Sequence, residues 1–164
     1  MEEKLQQLQL IVFDFDGVFT DGTVIVDETG KESVVCSRKD TLRFPELLKR
    51  GIRLAVISKE RNPVVAKRCE KMGVICFQGA DNKIDLLRQL LEREKVSPAE
   101  AAFVGDDIND VECMEYVGLA FTVADGHERC KAVADYVTRR RGGDHAVREI
   151  CDLVLTALGT PQRG

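Results

Sequence analysis

Short apolar runs alternate with amphipathic stretches along most of the chain, and this alternation constrains the fold more than any other feature. Strands are predicted at about 8–13, 52–57, 74–77, 101–104, 119–123 and 135–138, and helices at about 41–50, 62–72, 82–95, 108–117, 127–133 and 144–158. A strand–helix alternation of this kind is typical of a parallel sheet covered by helices. The sequence therefore predicts an α/β fold, with a Rossmann-like parallel sheet and helices on both of its faces.

The length of 164 residues predicts a single domain that spans residues 1–164. Between the first and second strands of the predicted sheet, the chain has room for one β-hairpin and one helix. The hairpin is predicted to pair Thr23–Val26 with Ser33–Cys36 across a turn at 27–30. The last residues, 159–164, are predicted to form a loose tail.

Two aspartates separated by one residue follow the first predicted strand, in the segment Asp14-Phe15-Asp16-Gly17-Val18-Phe19-Thr20-Asp21-Gly22. Two carboxylates so close raise each other's pKa unless a cation or a substrate phosphate compensates. A turn that starts at Gly17 can aim both into one crevice, where one attacks as a nucleophile and the other exchanges protons. A divalent metal would offset their repulsion. For an Asp-x-Asp pattern alone, an acidic loop without catalytic function is the alternative.

Three further polar segments each follow a predicted apolar strand, and ligands of open α/β sheets bind at that end of the strands. Ser58 can donate to a phosphate oxygen, or it can cap the following helix. Lys83 can stabilise a phosphate as a point cation, or it can be an ordinary solvated lysine. The acidic run Gly105-Asp106-Asp107-Ile108-Asn109-Asp110 offers the oxygen ligands that Mg²⁺ prefers.

Together, these four segments resemble the haloacid dehalogenase-like phosphatases, and the resemblance extends from Leu8 to about Leu158. The chain is most similar to the capless branch that acts on 3-deoxy-D-manno-octulosonate 8-phosphate. This resemblance implies that Asp14 is a nucleophile that forms an aspartyl-phosphate and that Asp16 is the general acid–base. It also assigns catalytic roles to Ser58 and Lys83.

The resemblance also implies a Mg²⁺ ion, bound by the Asp14 carboxylate, the main-chain carbonyl of Asp16 and the carboxylate of Asp106. Asp110 is expected to orient Lys83 or a metal-bound water. Asp107 is expected to support the site, or to cap the helix that follows it.

Substrate recognition is expected from two further places. Arg141, Gly142 and Gly143 precede a predicted helix and can bind a carboxylate or phosphate; a solvated basic turn is the alternative. In the family, this glycine pair approaches the active site of a neighbouring subunit. Lys59 and Glu60 replace the usual Gly-Arg, and Glu60 is similar to the branch that acts on nonulosonate 9-phosphates, so it is predicted to contact the sugar.

Neither insertion point of the family has room for a cap domain, so no cap is expected. The resemblance then implies a homo-oligomer, a tetramer, in which the hairpin packs against its copies and a neighbouring subunit covers the site. The net charge of −4 gives no reason to expect nucleic acid or an anionic membrane as a partner. No apolar run reaches the length of about 20 residues that spans a membrane.

The six cysteines are scattered and form no C-x-x-C pair, which argues against a zinc site. They are expected to be buried apolar residues in a reducing cytoplasm, although a disulfide is possible. His127 and His145 are expected at the surface or at helix starts.

The predicted function is that of a Mg²⁺-dependent phosphatase of a 2-keto-3-deoxy sugar acid phosphate, namely 3-deoxy-D-manno-octulosonate 8-phosphate, in lipopolysaccharide biosynthesis. A nonulosonate 9-phosphate phosphatase is the first alternative. A signalling receiver domain is another, but receivers lack the acid–base role assigned to Asp16. A non-catalytic oligomerisation domain is a third, and it is disfavoured because all five residues of the predicted chemistry are present.

Overall fold

The protein is described here by a computed structural model that covers residues 1–159. The strands are β1 (Leu10–Phe13), β2 (Ile25–Val26), β3 (Glu32–Ser33), β4 (Arg53–Ile57), β5 (Ile75–Phe77), β6 (Ala101–Gly105), β7 (Leu119–Thr122) and β8 (Tyr136–Val137). The helices are α1 (Glu2–Gln6), α2 (Phe44–Lys49), α3 (Val64–Met72), α4 (Lys83–Glu94), α5 (Val111–Tyr116), α6 (Glu128–Val133) and α7 (Ala146–Ala157). Apart from Gly159, the predicted tail lies outside the described residues.

Six strands form one parallel sheet in the order β5-β4-β1-β6-β7-β8, and β2 and β3 form a separate antiparallel hairpin. The predicted α/β fold is confirmed. The chain moves outward from β1 in one direction through β4 and β5, and in the other direction through β6, β7 and β8. This reversal beside β1 opens a crevice at the carboxyl ends of the strands, where open α/β sheets bind ligands.

Helices cover both faces of the sheet, which explains why all four residues of β1 are buried. Side chains of a strand alternate between the two faces. Ile11 and Phe13 pack in a core with α1, α2, α3 and α7, whereas Leu10 and Val12 pack in a second core with α4, α5 and α6. The central strand therefore has no freedom to shift, and it holds the residue that follows it in place.

Two features at the start of the chain differ from the sequence prediction. Helix α1 was not predicted, because its five residues bury only Leu5 and so show no apolar periodicity. The hairpin is present, but its strands have two residues each instead of four. Its turn is closed by the side chain of Asp27, which accepts hydrogen bonds from the amides of Thr29 and Lys31. The hairpin is therefore stabilised by its turn rather than by burial of one of its faces.

Within residues 1–159, none of the helices combines the length and the apolar character needed to span a bilayer.

A buried carboxylate joins the segment before α2 to the start of α7. Asp40 is fully buried, and its Oδ1 accepts a hydrogen bond of 3.2 Å from the backbone amide of Arg148 in the first turn of α7. The residue before that helix, His145, has a φ of 72° and makes no capping hydrogen bond with its side chain. Asp40 thus caps α7 from a distant part of the chain.

The second oxygen of Asp40, Oδ2, has no hydrogen-bond partner among residues 1–159. The pKa of Asp40 is raised to about 6, chiefly by burial and also by the charge of Asp144, against the opposing effects of the Arg148 amide, His145 and Arg68. The folded protein therefore binds a proton here at a higher pH than the unfolded chain does.

The Asp40→Asn variant should show this linkage in its stability. Below the ordinary value of 3.8 the carboxyl is protonated in both states, and above about 6 it is ionised in both, so the folded state then carries the cost of a buried charge. As pH rises through this window, Asp40→Asn should gain stability relative to the wild type, by on the order of 3 kcal/mol at about 1.36 kcal/mol per pKa unit. Urea denaturation of both proteins across that pH range measures the difference, and a difference that does not change with pH would contradict the prediction.

Candidate active site

The polar segments meet at one edge of the sheet because they follow adjacent parallel strands. Asp14 directly follows β1, Ser58 follows β4 and Asp106 follows β6. The Asp14 amide donates to the carbonyl of Val104 at 2.8 Å, and the Ser58 amide donates to the carbonyl of Phe77 at 2.8 Å. Hydrogen bonding between strands therefore continues up to Asp14 and Ser58 and holds their backbones rigidly.

The loop after β1 is anchored by its apolar residues and aims its polar ones outward. Phe15, Val18 and Phe19 are buried in the core, while Asp16 is half-buried and faces the crevice. Thr20 is fully buried, and its hydroxyl accepts hydrogen bonds of 3.1 Å from the amides of Gly17 and Gly22, which closes the loop. Much of the predicted nine-residue segment is therefore structural.

Gly17 has a φ of 86°, and a side chain at this position would also overlap the carboxylate of Asp106. The glycine thus lets the acidic segment after β6 approach the loop after β1.

A buried ion-pair network lies at the base of the crevice. Lys83, the first residue of α4, is 3% exposed, and its Nζ donates to Asp14 Oδ1 at 2.7 Å and to Asp110 Oδ1 at 2.6 Å. The helix begins at this point because Asn82 caps it by accepting from the amide of Asp85. The cap therefore positions the ammonium group against the carboxylate of Asp14.

Asp110 is fully buried and has a partner on each oxygen. Its Oδ2 accepts from the amides of Asp106 and Asp107 at 3.0 and 3.3 Å, and its Oδ1 accepts from Lys83. Asp110 thus links the acidic loop to the lysine, as the prediction that it orients Lys83 requires.

Asp107 was predicted either to support the site or to cap the helix that follows it. Its carboxylate accepts from the amide of Ile108 at 2.7 Å and caps the short 3-10 turn there, as the second of these predictions states.

A cavity of about 450 Å³ lies at the carboxyl edge of the sheet, above the ion pair of Lys83 with Asp14. Its lining residues are Asp14, Asp16, Gly22, Ser58, Lys59, Glu60, Lys83, Asp106, Asp107 and Asn109. The structure therefore brings together the predicted nucleophile, acid–base, phosphate-binding and metal-binding residues. The sequence reasoning assigned no role to Lys59 or Asn109, although Asn109 lies within the acidic run and Lys59 departs from the family pattern.

The predicted substrate residues after β8 do not line this cavity. The Gly143 amide donates to the carbonyl of Val18 at 3.1 Å, and a side chain at Gly142 would overlap the carbonyl of Gly17. Within one chain, these glycines pack directly against the backbone of the loop that carries Asp16. Arg141 is exposed beside them.

Glu60 lies at the cavity, but its own turn uses one of its oxygens. Its Oε1 accepts hydrogen bonds from the amides of Arg61 and Asn62 at 2.7 and 2.8 Å. Ser58, which is 1% exposed, accepts from the Glu60 amide at 3.1 Å. Helix α3 begins six residues after Ser58, so this serine is not its N-cap and faces the cavity instead.

A larger groove of about 760 Å³ lies elsewhere, between α7 and the segment after β8. It is basic, and part of its charge is paired: Arg148 bonds Asp152 at 2.8 Å, and Glu149 accepts from Tyr136 and from two backbone amides. It contains no acidic cluster comparable with the one beside Lys83, so we assign the chemistry to the smaller cavity.

Burial and mutual repulsion perturb the carboxylates of the site. The pKa of Asp14 is raised to about 6 by burial and by Asp110, against the opposing effect of Lys83. The pKa of Asp106 is raised to about 8 by burial and by the charges of Asp14 and Asp110. Burial and the neighbouring Glu60 also raise the pKa of Asp16. The site therefore holds more negative charge than one lysine compensates.

This excess of negative charge fits a divalent cation. Carboxylate oxygens of Asp14, Asp106 and Asp110 lie within 4.8 Å of one another. Lys83 and backbone amides occupy both oxygens of Asp110, which leaves Asp14 and Asp106 as the carboxylates available to a metal. An all-oxygen donor set with few carboxylates is the kind that Mg²⁺ takes. For Asp16, the predicted ligand is the main-chain carbonyl. The cluster contains carboxylate oxygens alone, so this part of the prediction stays a prediction.

A parallel sheet with Asp14, Asp16, Asp106 and Lys83 at its carboxyl edge is the arrangement expected of a haloacid dehalogenase-like hydrolase. Accordingly, the family model described as haloacid dehalogenase-like hydrolase matches residues 76–149. This match covers the segments that contain Lys83 and Asp106.

Similarity to individual relatives extends over nearly the whole chain. The 3-deoxy-D-manno-octulosonate 8-phosphate phosphatase of Escherichia coli K12 is 38% identical over 157 residues, which cover 95% of this chain and 84% of that protein. The phosphatase of the same name from Yersinia pestis is 33% identical, over 94% and 83% of the two chains. The chain therefore belongs to the haloacid dehalogenase-like hydrolases, in the family of these phosphatases, and the predicted resemblance is confirmed.

Solved structures agree with this assignment. The Moraxella catarrhalis 3-deoxy-D-manno-octulosonate 8-phosphate phosphatase, in complex with magnesium, phosphate and the sugar acid, matches with a TM-score of 0.91 and 32% identity, over 95% of this chain and 90% of that one. The cobalt-bound phosphatase from Haemophilus influenzae matches with a TM-score of 0.91 and 30% identity, over 95% and 92%.

Proposed function

We propose that the chain is a Mg²⁺-dependent phosphatase that hydrolyses 3-deoxy-D-manno-octulosonate 8-phosphate. The observation that carries this proposal is the single cavity in which Lys83 bonds Asp14 at 2.7 Å, with Ser58, Asp16 and Asp106 around it. Relatives that are 38% and 33% identical have this activity in their names. The chain is accordingly a phosphoric monoester hydrolase of the haloacid dehalogenase-like type.

In the first half-reaction, an oxygen of Asp14 attacks the phosphorus atom and the bond from phosphorus to the sugar oxygen breaks. Lys83 holds Oδ1 of Asp14 and so orients this carboxylate at the base of the cavity. Asp16 gives its proton to the leaving sugar oxygen; the raised pKa of this carboxyl suits it to be a proton donor. The product on the protein is an aspartyl-phosphate.

In the second half-reaction, water attacks the phosphorus atom and the bond from phosphorus to Asp14 breaks, which releases inorganic phosphate. Asp16, now ionised, takes the proton of the attacking water. The hydroxyl of Ser58 and the ammonium group of Lys83 bind the phosphate oxygens and stabilise charge in both steps.

Asp14 and Asp106, with the carbonyl of Asp16, are the residues that would hold the metal. When bound, Mg²⁺ neutralises charge on the phosphate and on the carboxylates around it. Asp110 does not need to bind the ion, because it already holds Lys83 and the amides of the acidic loop.

A panel of phosphate esters tests the substrate. With Mg²⁺ present, kcat/KM should be highest for 3-deoxy-D-manno-octulosonate 8-phosphate and lower for nonulosonate 9-phosphates and for simple esters. Excess chelator should abolish release of inorganic phosphate, and added Mg²⁺ should restore it. A preference for another ester would overturn the substrate assignment, and full activity in chelator would overturn the metal requirement.

Substitution of the two loop aspartates tests their roles. Asp14→Asn should abolish turnover, because an amide cannot form the acyl-phosphate. Asp16→Asn should slow turnover by about 10²–10⁴-fold, which is the usual contribution of a general acid–base. Asp21→Asn is the matched control: Asp21 lies in the same loop, but it is exposed and its carboxylate accepts hydrogen bonds from the amide and the hydroxyl of Thr23. Near-normal turnover by folded Asp14→Asn would refute the nucleophile.

The alternative substrate, a nonulosonate 9-phosphate, rested on Glu60. One oxygen of this carboxylate is bonded to two amides of its own turn, so Glu60 helps to shape the cavity wall. No other contact among residues 1–159 favours that alternative.

We further propose that the chain assembles as a homotetramer through its hairpin. The hairpin exposes a cluster of apolar side chains: Val24 is 47% exposed, Ile25 64%, Val26 56% and Val35 71%. Such a cluster on a small projecting element is typical of a protein–protein contact. In this assembly, Arg141 of a neighbouring subunit would lie at the opening of the active site, where it would contact the substrate.

Ile25→Glu should disrupt this assembly. A charge within an apolar interface costs free energy unless it is paired, so light scattering should give the mass of one chain, or of a smaller oligomer than the wild type forms. Leu48→Glu is the matched control, because Leu48 is an exposed leucine on α2. An unchanged mass for Ile25→Glu would exclude the hairpin as the interface.

Two expectations from the sequence remain proposals. A single domain over residues 1–164 is supported by the single main sheet that residues 1–159 form. A cytoplasmic location is supported by the six free cysteines, four of which are buried.

A further inference from the structure

The charged side chains that line the active-site cavity are unbalanced. Five of them are carboxylates, those of Asp14, Asp16, Glu60, Asp106 and Asp107, and two are lysines, Lys59 and Lys83. A phosphate monoester brings further negative charge, of about −1.5 to −2 near neutral pH. A sugar acid brings a carboxylate in addition. The binding of such a substrate therefore depends strongly on the cations that remain available.

The two lysines differ in depth and in their partners. Lys83 is 3% exposed, and its ammonium group is bonded to Asp14 and Asp110 at the base of the cavity. Lys59 is exposed, and its ammonium group has no ion pair or hydrogen bond with any residue between 1 and 159. Lys83 has one further N–H for the phosphate, whereas the whole ammonium group of Lys59 is available to another part of the ligand.

The backbone around Lys59 is held in place. The amide before it, that of Ser58, donates to Phe77 in the neighbouring strand β5, and the amide after it, that of Glu60, donates to the Ser58 hydroxyl. Glu60 in turn accepts from the next two amides along the chain. This tight turn fixes the starting point of the Lys59 side chain at the cavity rim.

Depth decides which part of the substrate Lys59 meets. Attack requires the phosphorus atom to lie about 3–3.5 Å from a carboxylate oxygen of Asp14. Asp14 is 6% exposed and Ser58 is 1% exposed, so the phosphate must enter the base of the cavity. The sugar acid then extends outward, past the rim where Lys59 lies.

We propose that Lys59 is a specificity-determining residue that binds the carboxylate of the sugar acid at the rim of the active site. This inference rests on the proposed function, since it assumes a phosphorylated sugar acid as the substrate. The interaction is a charge-assisted hydrogen bond, and Lys59 acts on substrate binding rather than on the bonds that break.

The test compares Lys59→Met, which removes the charge and keeps a long apolar side chain, with Arg61→Met. Arg61 is two residues away, and the change in net charge is the same. The Arg61 side chain is 77% exposed, forms an ion pair with Asp81 at 3.2 Å and does not line the cavity. Any effect of net charge alone would therefore appear in both variants.

Lys59→Met should raise KM for 3-deoxy-D-manno-octulosonate 8-phosphate roughly 10- to 100-fold, as the loss of a hydrogen bond to a charged group does. Its kcat should stay within about twofold, because the groups around the phosphorus atom are untouched. KM for phenyl phosphate, which lacks a carboxylate, should change little. Lys59→Arg should keep most of the affinity, and Arg61→Met should resemble the wild type with both substrates.

Titration calorimetry with the unphosphorylated sugar acid provides a readout that is independent of turnover. Lys59→Met should weaken the binding of this ligand, and Arg61→Met should not. An equal rise in KM for both esters would assign Lys59 to the phosphate and overturn the proposal. Unchanged KM values would overturn it as well, while leaving the phosphatase activity established. If the wild type hydrolysed no sugar acid phosphate, the proposed function would fail, and calorimetry would still decide whether Lys59 binds the carboxylate.

Discussion

The active site depends on one buried ammonium group. Lys83 lies between Asp14 and Asp110 at 2.7 and 2.6 Å, almost completely excluded from water. Removal of water from three charged groups is costly, and it is offset only when their geometry is good and the remaining oxygens are bonded. Here the second oxygen of Asp110 is bonded to two amides of the acidic loop. The same lysine therefore joins the segments after β1 and β6 to the start of α4.

Close contacts between backbones complete this arrangement. Gly17 allows the carboxylate of Asp106 to approach the loop after β1, and Gly142 packs against the other side of that loop. Gly105 similarly makes room for the side chain of Asp110. At each position a methyl group would overlap its neighbour, so the site is assembled at a density that leaves little room for adjustment. The residues that perform the proposed chemistry thus owe their positions to glycines that take no part in it.

The sequence was informative about the sheet and the base of the site for a physical reason. Both faces of the sheet are buried, so its strands are continuous apolar runs, and polar residues directly after them must lie at one edge. It was less informative where structure depends on few buried contacts: α1 buries one leucine and was missed, and the hairpin strands were predicted too long. The role of Glu60 was obscured because nothing in sequence spacing shows that its carboxylate accepts from its own turn.

The depth of the cavity separates chemistry from selectivity. The residues at the base, Asp14, Ser58 and Lys83, are nearly inaccessible, and each is fixed by a hydrogen bond to a neighbouring strand or charge. The rim is formed by turns such as the one that carries Lys59. Hydrogen bonds hold the backbone of this turn, while the side chain of Lys59 is exposed. Because residues 1–159 contain no cap domain over this rim, features of the substrate beyond its phosphate must be recognised by rim side chains or by another subunit. A substitution at the rim can then change which sugar phosphate the protein prefers. Such a substitution does not disturb the ion-pair network on which the phosphoryl chemistry depends.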